Sequence, residues 1–319
     1  MEKTIYLIGG SGFIGSVLAN KLSKNKSTKF QIIDKKLSKY YPQLSRIVDV
    51  RNYSALENSL SKDSLLIHLA AEHRDNVKPV SLYYDVNVTG AHNLCNVARK
   101  KGINKIVFTS SVAVYQKSNT EINESSNLKP FNHYGKSKLQ AEKIFKKWQL
   151  EDPLKRVLVI VRPTVVFGEG NRGNVYNLMR QIYLKRFIMI GRGSNRKSLA
   201  YVQNLADFIL YTIKDKSGIH IYNYADKPDL SVREFVNIIK KELGQPKTDI
   251  YIPFLIAYIL GYIADLLSFL LRKEMVLSSA RVMKFTMCSI FSRKKNGGFN
   301  PHFDLKEAIR RTISYEFKE

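Results

Sequence analysis

Tyr134 and Lys138 are the pair in this sequence best suited to moving a proton. They stand four residues apart, so on a helix their side chains share one face. A free phenol ionises near ~10 and is too weak an acid to exchange protons readily at neutrality. An ammonium beside it favours the phenolate and is expected to lower that value, which makes Tyr134 a usable general base and acid. Ser111 completes the set, because a hydroxyl at the end of an apolar run can serve the same substrate oxygen. Tyr-x-x-x-Lys also occurs on ordinary surface helices, so its meaning depends on what precedes it in the chain.

Alternating strands and helices must position these groups. Thr4 to Ile8 reads as a buried strand, glycines follow at 9, 12 and 15, and Ser16 to Leu22 reads as a helix. That order opens a dinucleotide-binding unit. Gly9 allows the turn, Gly12 lets a pyrophosphate reach the backbone, and Gly15 lets helix pack on strand. The helix N-terminus offers free N–H groups and a partial positive charge to the anion. Phe30 to Ile33 is a second strand ending in Asp34, whose carboxylate can accept both ribose hydroxyls and would repel a 2′-phosphate, favouring NAD over NADP. Lys35 and Lys36 beside it could instead serve a phosphate. Ile47-Val48 leads into Asp49-Val50-Arg51. Leu65 to Leu69 runs into Ala70-Ala71, small residues against which a dinucleotide can lie. Val86 to Lys101 has helical spacing and stops at Gly102. Ile106 to Phe108 ends in Thr109-Ser110-Ser111, and Val157 to Val161 is a sixth strand. This rhythm predicts an α/β protein with a Rossmann-type doubly wound parallel sheet.

The chain has 319 residues, 44% of them hydrophobic, which is ample for a core. It carries 52 basic and 27 acidic side chains, a formal charge of +25. That excess fits either an anionic partner or solvated lysine-rich faces. There is no basic run, aromatic-basic motif or zinc spacing, so neither nucleic acid nor a metal is expected. Cys95 and Cys288 make no disulfide framework, and Cys95 falls within a helical pattern as a core residue. The apolar run before the glycines is too short for a signal peptide, and a cytoplasmic location is expected.

Over essentially its whole length the chain resembles the extended short-chain dehydrogenase/reductase family, whose members include NAD-dependent epimerases and dehydratases. The resemblance is carried by Gly9-x-x-Gly12-x-x-Gly15, Asp34, Asp49-Val50-Arg51, His68-Leu69-Ala70-Ala71, Asn87, Thr109 to Tyr115, Tyr134-x-x-x-Lys138 and Arg162-Pro163. It implies Ser111, Tyr134 and Lys138 as the catalytic set, with Lys138 also holding the nicotinamide ribose and Asp49 and Val50 meeting the adenine. The cofactor contacts it implies further include Phe13, Ile14, Leu69, Ala70, Ala71, Asn87, Thr109 and Pro163. Gln116 departs from the glycine usual after Val-Tyr. Family dehydratases carry an Asp and a Glu as acid and base where this chain has Val112 and Ala113, which transfer no protons. Epimerisation at C4, reduction of a 4-keto sugar, or hydroxysteroid-type oxidation remain. A non-catalytic NAD-binding regulator on the same fold is a further alternative, although such proteins often lack the Tyr-Lys pair.

Four segments are similar to a bacterial subgroup from surface-polysaccharide (O-antigen) pathways: 71–75, 131–134, 171–178 and 222–230. The resemblance implies 4-epimerisation of N-acetylglucosamine to N-acetylgalactosamine on undecaprenyl diphosphate or on UDP. It implies His73 on the sugar side of the nicotinamide, Asn177 and Leu178 near the diphosphate or its cap, Lys197 toward the diphosphate, and Ser111, Asn174 and Arg281 as further substrate contacts. Val165 stands where UDP-galactose epimerases carry an Asn. A homodimer is a family-level expectation. The dinucleotide-binding domain is expected at 1–166, with 199–214 returning to it, and a smaller interleaved substrate domain at 167–319.

Residues 252–271 hold one charge, Asp265. Pro253, Gly261 and Asp265 argue against a simple membrane span. On a helix, Gly261, Asp265, Ser268 and Arg272 form one narrow polar stripe, and Leu255, Tyr258, Ile259, Tyr262, Leu266 and Phe269 spread over the rest. Lys273, Arg281, Lys284, Arg293, Lys294 and Lys295 follow. This pattern fits a helix lying on an anionic membrane surface; the alternative is a helix buried in the substrate domain.

Overall fold

The computed structural model describes residues 3–74, 77–247, 251–271, 278–292 and 298–318. Asp75, Arg272, Lys273, Arg293, Lys294, Lys295 and the side chain of Phe269 lie outside what is described. The two-sided apolar runs Ile5–Ile8 (β1) and Leu65–His68 (β4) are buried along their whole length, as strands covered on both faces must be. Between them come α1 (Phe13–Ser23), β2 (Phe30–Asp34), β3 (Ser45–Ile47) and α2 (Tyr53–Ser59). A short helix α3 (Ser81–Tyr84) and a π-helical turn at Asp85–Thr89 lead into α4 (Gly90–Lys101), which ends at left-handed Gly102. The expected helix from Val86 thus starts with one widened turn, a device frequent at functional sites. After it come β5 (Lys105–Thr109), α5 (His133–Leu150) and β6 (Val157–Pro163).

The second half supplies β7 (Val165–Phe167), α6 (Asn174–Tyr183), β8 (Met189–Ile190), β9 (Arg196–Tyr201), α7 (Val202–Tyr211), β10 (Gly218–Tyr224), β11 (Asp226–Ser231), α8 (Val232–Glu242), β12 (Tyr251–Ile252), α9 (Phe254–Leu271), α10 (Ser279–Thr286) and α11 (Leu305–Phe317). Seven parallel strands form the main sheet in the order β10-β6-β5-β4-β1-β2-β3. The order reverses beside β1, where such folds leave a crevice at the carboxyl ends of the strands. Helix α7 packs on α1, and Leu205 and Phe208 join the core under the main sheet. Strand β9 instead joins a three-stranded sheet with β7 and β11. The main sheet takes its seventh strand from 218–224, beyond the segment expected to return. As an edge strand, Ile-His-Ile-Tyr-Asn-Tyr lacks the continuous apolar run by which inner strands are read. Helices α6, α8 and α11 cover the small sheet around Phe167, Met179, Tyr201, Phe235 and Ile309.

Helix α9 overturns the buried-helix alternative. Its small residues Ala257, Gly261 and Ala264 are buried, whereas Leu255, Leu266 and Leu270 are 66%, 59% and 65% exposed. A Cβ on Gly261 would sit 2.8 Å from backbone atoms of Ser279, so the glycine lets α10 approach closely. Asp265 Oδ2 accepts from the Ser279 N–H (3.1 Å) and hydroxyl (2.6 Å). Gly261 and Asp265 therefore face α10, and Leu255, Ile259, Tyr262 and Leu266 point outward. Among the described residues no helix is long and apolar enough to cross a membrane.

The glycine turn after β1 allows no side chain. Gly9 has φ +83°, and a Cβ there would lie 2.4 Å from the backbone nitrogen of Ala70. Gly9→Ala should cost about 2–4 kcal/mol from strain and overpacking together, read as a lower urea midpoint with an unchanged m-value.

Candidate active site

Helix α5 begins where Asn132 Oδ1 accepts the Gly135 N–H at 2.8 Å, an N-cap that sets the first turn. A Cβ on Gly135 would lie 2.2 Å from the Ala113 carbonyl oxygen, so the helix start can press against the turn that follows β5. That contact brings Tyr134 to Ser111. Ser111 Oγ accepts the Ala113 N–H at 3.1 Å, and its hydroxyl favours the ionised form of the Tyr134 phenol. One turn along, Lys138 Nζ donates to the Thr109 carbonyl at 2.6 Å and lies 4.1 Å from the Phe108 ring centroid. Ser111, Thr109, Tyr134 and Lys138 thus converge at the carboxyl end of β5.

The electrostatics correct one expectation. Burial pushes the Tyr134 phenol above its ordinary value, and the Ser111 hydroxyl offsets this only in part. Burial also draws Lys138 down to about 7, against the attraction of Glu142. The ammonium spends its hydrogen bond on a backbone carbonyl, so desolvation outweighs the expected pull on the phenol.

Behind Lys138 lies a buried network in which the sequence reading assigned no role to Glu142, Ser110, Tyr115 or Asn223. Arg162 donates from Nε to Glu142 Oε1 (2.8 Å) and from Nη2 to Oε2 (2.6 Å). Ser110 Oγ donates to Glu142 Oε1 at 2.6 Å. Arg162 Nη1 donates to the Tyr115 hydroxyl (2.6 Å), which donates to Asn223 Oδ1 (2.7 Å). The available signal was an acidic residue four positions after Lys138, on the same helix face.

The residues expected to meet a dinucleotide gather at the carboxyl ends of the strands. Gly12 starts α1 with no side-chain cap, and a Cβ there would meet protein only at 3.4 Å, so the space above it is open. The first turn holds Phe13, Ile14 and Gly15. Asp34 ends β2 facing the glycine turn, where its oxygens accept the N–H groups of Ser11 (3.0 Å) and Lys36 (3.2 Å). Asp49 is clasped by Arg51, which holds its carboxyl below the ordinary range, beside buried Val50. Leu69 and Ala70 donate their N–H groups to the Ile8 carbonyl, and Ala71 follows them. Thr109 Oγ1 is buried with no hydrogen-bond partner among the described residues, and Pro163 closes β6 nearby. Asn87 is fully engaged: it accepts from the Glu72 N–H (2.9 Å) and donates to the Glu72 carbonyl (3.1 Å) and Ser137 Oγ (2.8 Å). It therefore clamps the loop after β4 to α5. These residues leave room for the cofactor expected from the sequence, whereas the Asn87 amide is taken up by Glu72 and Ser137.

The expected substrate residues are more scattered. His73 is exposed on the loop after Glu72, whose carboxyl the Arg74 guanidinium holds down at about 2. Asn174 and Asn177 are exposed on the first turn of α6, and Leu178 packs on the small core. Lys197 Nζ donates to the carbonyls of Lys284 (3.0 Å) and Met287, tying β9 to the end of α10, and burial with nearby Lys284 draws it down to about 8. Arg281 is exposed on α10, and Val165 is exposed on β7.

With this fold and site, the chain belongs to the NAD-dependent epimerase/dehydratase family, whose profile matches residues 5–225. It is 42% identical to the N-acetyl-α-D-glucosaminyl-diphospho-ditrans,octacis-undecaprenol 4-epimerase of Escherichia coli O157:H7, over 99% of this chain and 96% of that one. It is 28% identical to the UDP-glucose 4-epimerase of Vibrio cholerae, over 79% of this chain and 80% of that one. Among solved structures, the UDP-N-acetylglucosamine 4-epimerase of Bacillus cereus superposes with TM-score 0.77 at 19% identity, covering 97% of each chain.

A charged lysine buried for function should cost stability. The folded-state value of Lys138 lies below its unfolded one, so the unfolded chain binds the extra proton between them and stability rises with pH across that window. Lys138→Met should therefore stabilise the protein most below about pH 7, on the order of a few kcal/mol, and the gain should vanish as pH approaches the ordinary lysine value. Urea melts of both proteins from about pH 6 to 10 check it.

Proposed function

We propose that this chain is an NAD-dependent 4-epimerase that interconverts N-acetylglucosamine and N-acetylgalactosamine attached to a diphosphate, in the synthesis of a bacterial surface polysaccharide such as O-antigen. The single observation that carries the reading is the Ser111–Tyr134–Lys138 convergence, in a chain similar along its whole length to an enzyme named for that reaction. The apolar side chains of Val112 and Ala113, beside Ser111, argue against water loss.

Tyr134 takes the proton of the C4 hydroxyl and later returns it, while Ser111 holds the same oxygen. Lys138, one turn along the helix, gains and loses a proton near neutrality and orients the nicotinamide ribose. When bound, NAD would supply a reversible two-electron acceptor for the C4 hydride. Between the two transfers the 4-keto sugar presents its other face, so the reaction has no net redox change.

Undecaprenyl diphosphate is the carrier we favour. The outward apolar face of α9 supports this, beside α10 with its exposed Arg281, on a chain of net charge +25. Such a face suits the membrane interface, where a polyprenyl-linked sugar stays, and it makes the protein peripheral at the inner face of the cytoplasmic membrane. Each basic group near an anionic surface adds about 1 kcal/mol.

Tyr134→Phe should lower turnover by at least about 100-fold while purified protein keeps its NAD; retention of more than a few per cent of wild-type turnover would sink the assignment. Wild type should convert the lipid-linked sugar without added cofactor. Product from neither the lipid-linked sugar nor UDP-N-acetylglucosamine would favour a 4-keto reductase.

Wild type should also sediment with anionic liposomes at low salt, and polar replacements at Leu255, Ile259 and Leu266 should release it without lowering its melting temperature. A wild type that stays in the supernatant would leave UDP as the carrier.

A further inference from the structure

A basic hollow lies beside the start of α9. Met189 and Ile190 of β8 pair in parallel with Tyr251 and Ile252 of β12, and only Pro253 separates β12 from α9. The Gly191 N–H donates to the Ile252 carbonyl at 2.8 Å, so the chain leaving β8 is held at the start of that helix. There Arg192, Arg196 and Arg233, with Ser194, Ser231 and Glu234, line a hollow of about 450 Å³. We infer that this hollow is a docking site for the headgroups of anionic phospholipids, and that it seats the first turn of α9 on the membrane surface. This rests on the reading of α9 as a helix of the membrane interface.

The hollow carries a surplus of positive charge. Among the described residues Arg192 and Arg196 form no ion pair; Arg196 Nη1 donates to the Asp229 carbonyl (3.1 Å), a neutral acceptor. Arg233 Nε donates to the Arg192 carbonyl (2.8 Å), which joins the start of α8 to the loop after β8. Glu234 is the carboxylate of the lining, and it accepts the Ser231 N–H at 2.7 Å as part of the cap of α8. Three guanidinium groups to one carboxylate suit a phosphate diester, whose oxygens match the fork of an arginine. The surroundings say which phosphate. Ile188, just before β8, and Tyr251, which opens β12, are both exposed, as are Phe254 and Leu255 on the first turn of α9. Cations beside an exposed apolar surface meet headgroup and acyl chain together. A soluble anion in the same hollow would leave that apolar rim in water.

Charge removal at the hollow and at a distant helix separates a local contact from the overall charge of the chain. Arg192→Gln/Arg196→Gln should weaken binding to vesicles of phosphatidylcholine and phosphatidylglycerol about ten- to thirtyfold at low salt, with the wild-type melting temperature. Lys143→Gln/Lys147→Gln removes the same charge from exposed positions of α5 and should bind within about twofold of wild type. Vesicles of phosphatidylcholine alone should not distinguish the three proteins. Ile188→Trp should add a fluorescence that brominated lipid quenches, while Trp148, buried in the main core, stays unquenched. If wild type sediments and the two double variants weaken equally, or neither weakens, the hollow is no lipid site and α9 alone is the anchor. A wild type that stays in the supernatant fails the membrane reading itself and takes the site with it. Inorganic phosphate that raises the melting temperature of wild type but not of Arg192→Gln/Arg196→Gln, with equal sedimentation of both, would assign the hollow to a soluble anion and overturn the inference.

Discussion

Glu142 and Arg162 meet where four parts of the fold come together. The carboxylate belongs to α5, the guanidinium to β6, the Ser110 hydroxyl to the end of β5, and Tyr115 carries the network on to Asn223 of β10. Two charges taken out of water are costly, and their attraction repays this only when geometry is good and the remaining donors and acceptors are filled. Here both carboxylate oxygens face the guanidinium, and its third nitrogen finds the Tyr115 hydroxyl. A shift of α5 along β6 would strand a buried charge, so the pair sets the register of the helix that carries Tyr134 and Lys138. An apolar contact of the same volume would tolerate sliding.

The site itself works against stability. Lys138 is buried with its amine on a single backbone carbonyl, and Tyr134 is desolvated enough that its phenol is raised. Both groups are held there by neighbours with ordinary structural energetics: the Asn132 cap, the close approach of Gly135 to Ala113, and the Asn87 clamp between Glu72 and Ser137. Dehydration is also what makes the residues useful, since charges act over a longer range where water is excluded. The same logic runs through the open cradle above Gly12, where the first turn of α1 offers N–H groups that no side chain caps.

The second half of the chain is built on a different principle. Its small sheet packs against α6, α8 and α11 around a modest core, while α7 and β10 are given back to the main sheet. Helix α9 inverts the usual amphipathic arrangement: small and polar residues meet α10, and leucines, isoleucines and tyrosines face out. In water this arrangement exposes an apolar surface that globular proteins ordinarily cover.

The glycine turn, Asp34, the Ser111–Tyr134–Lys138 set and the inner strands were all legible because each depends on local rules. Left-handed backbone demands glycine, two-sided burial demands a continuous apolar run, and a spacing of four places two side chains on one helix face. Even the stripe of Gly261 and Asp265 could be read from periodicity. Which side of α9 meets protein could not, because that depends on where Ser279 arrives from elsewhere in the chain. The edge strand at 218–224 was hidden for a related reason: its pairing with β6 comes from backbone hydrogen bonds, which carry no side-chain signature. The direction of the Tyr134 shift and the partnership of Glu142 with Arg162 belong to tertiary structure alone. Burial and long-range pairing set them, and residues 20 apart in sequence become neighbours only once the sheet has formed.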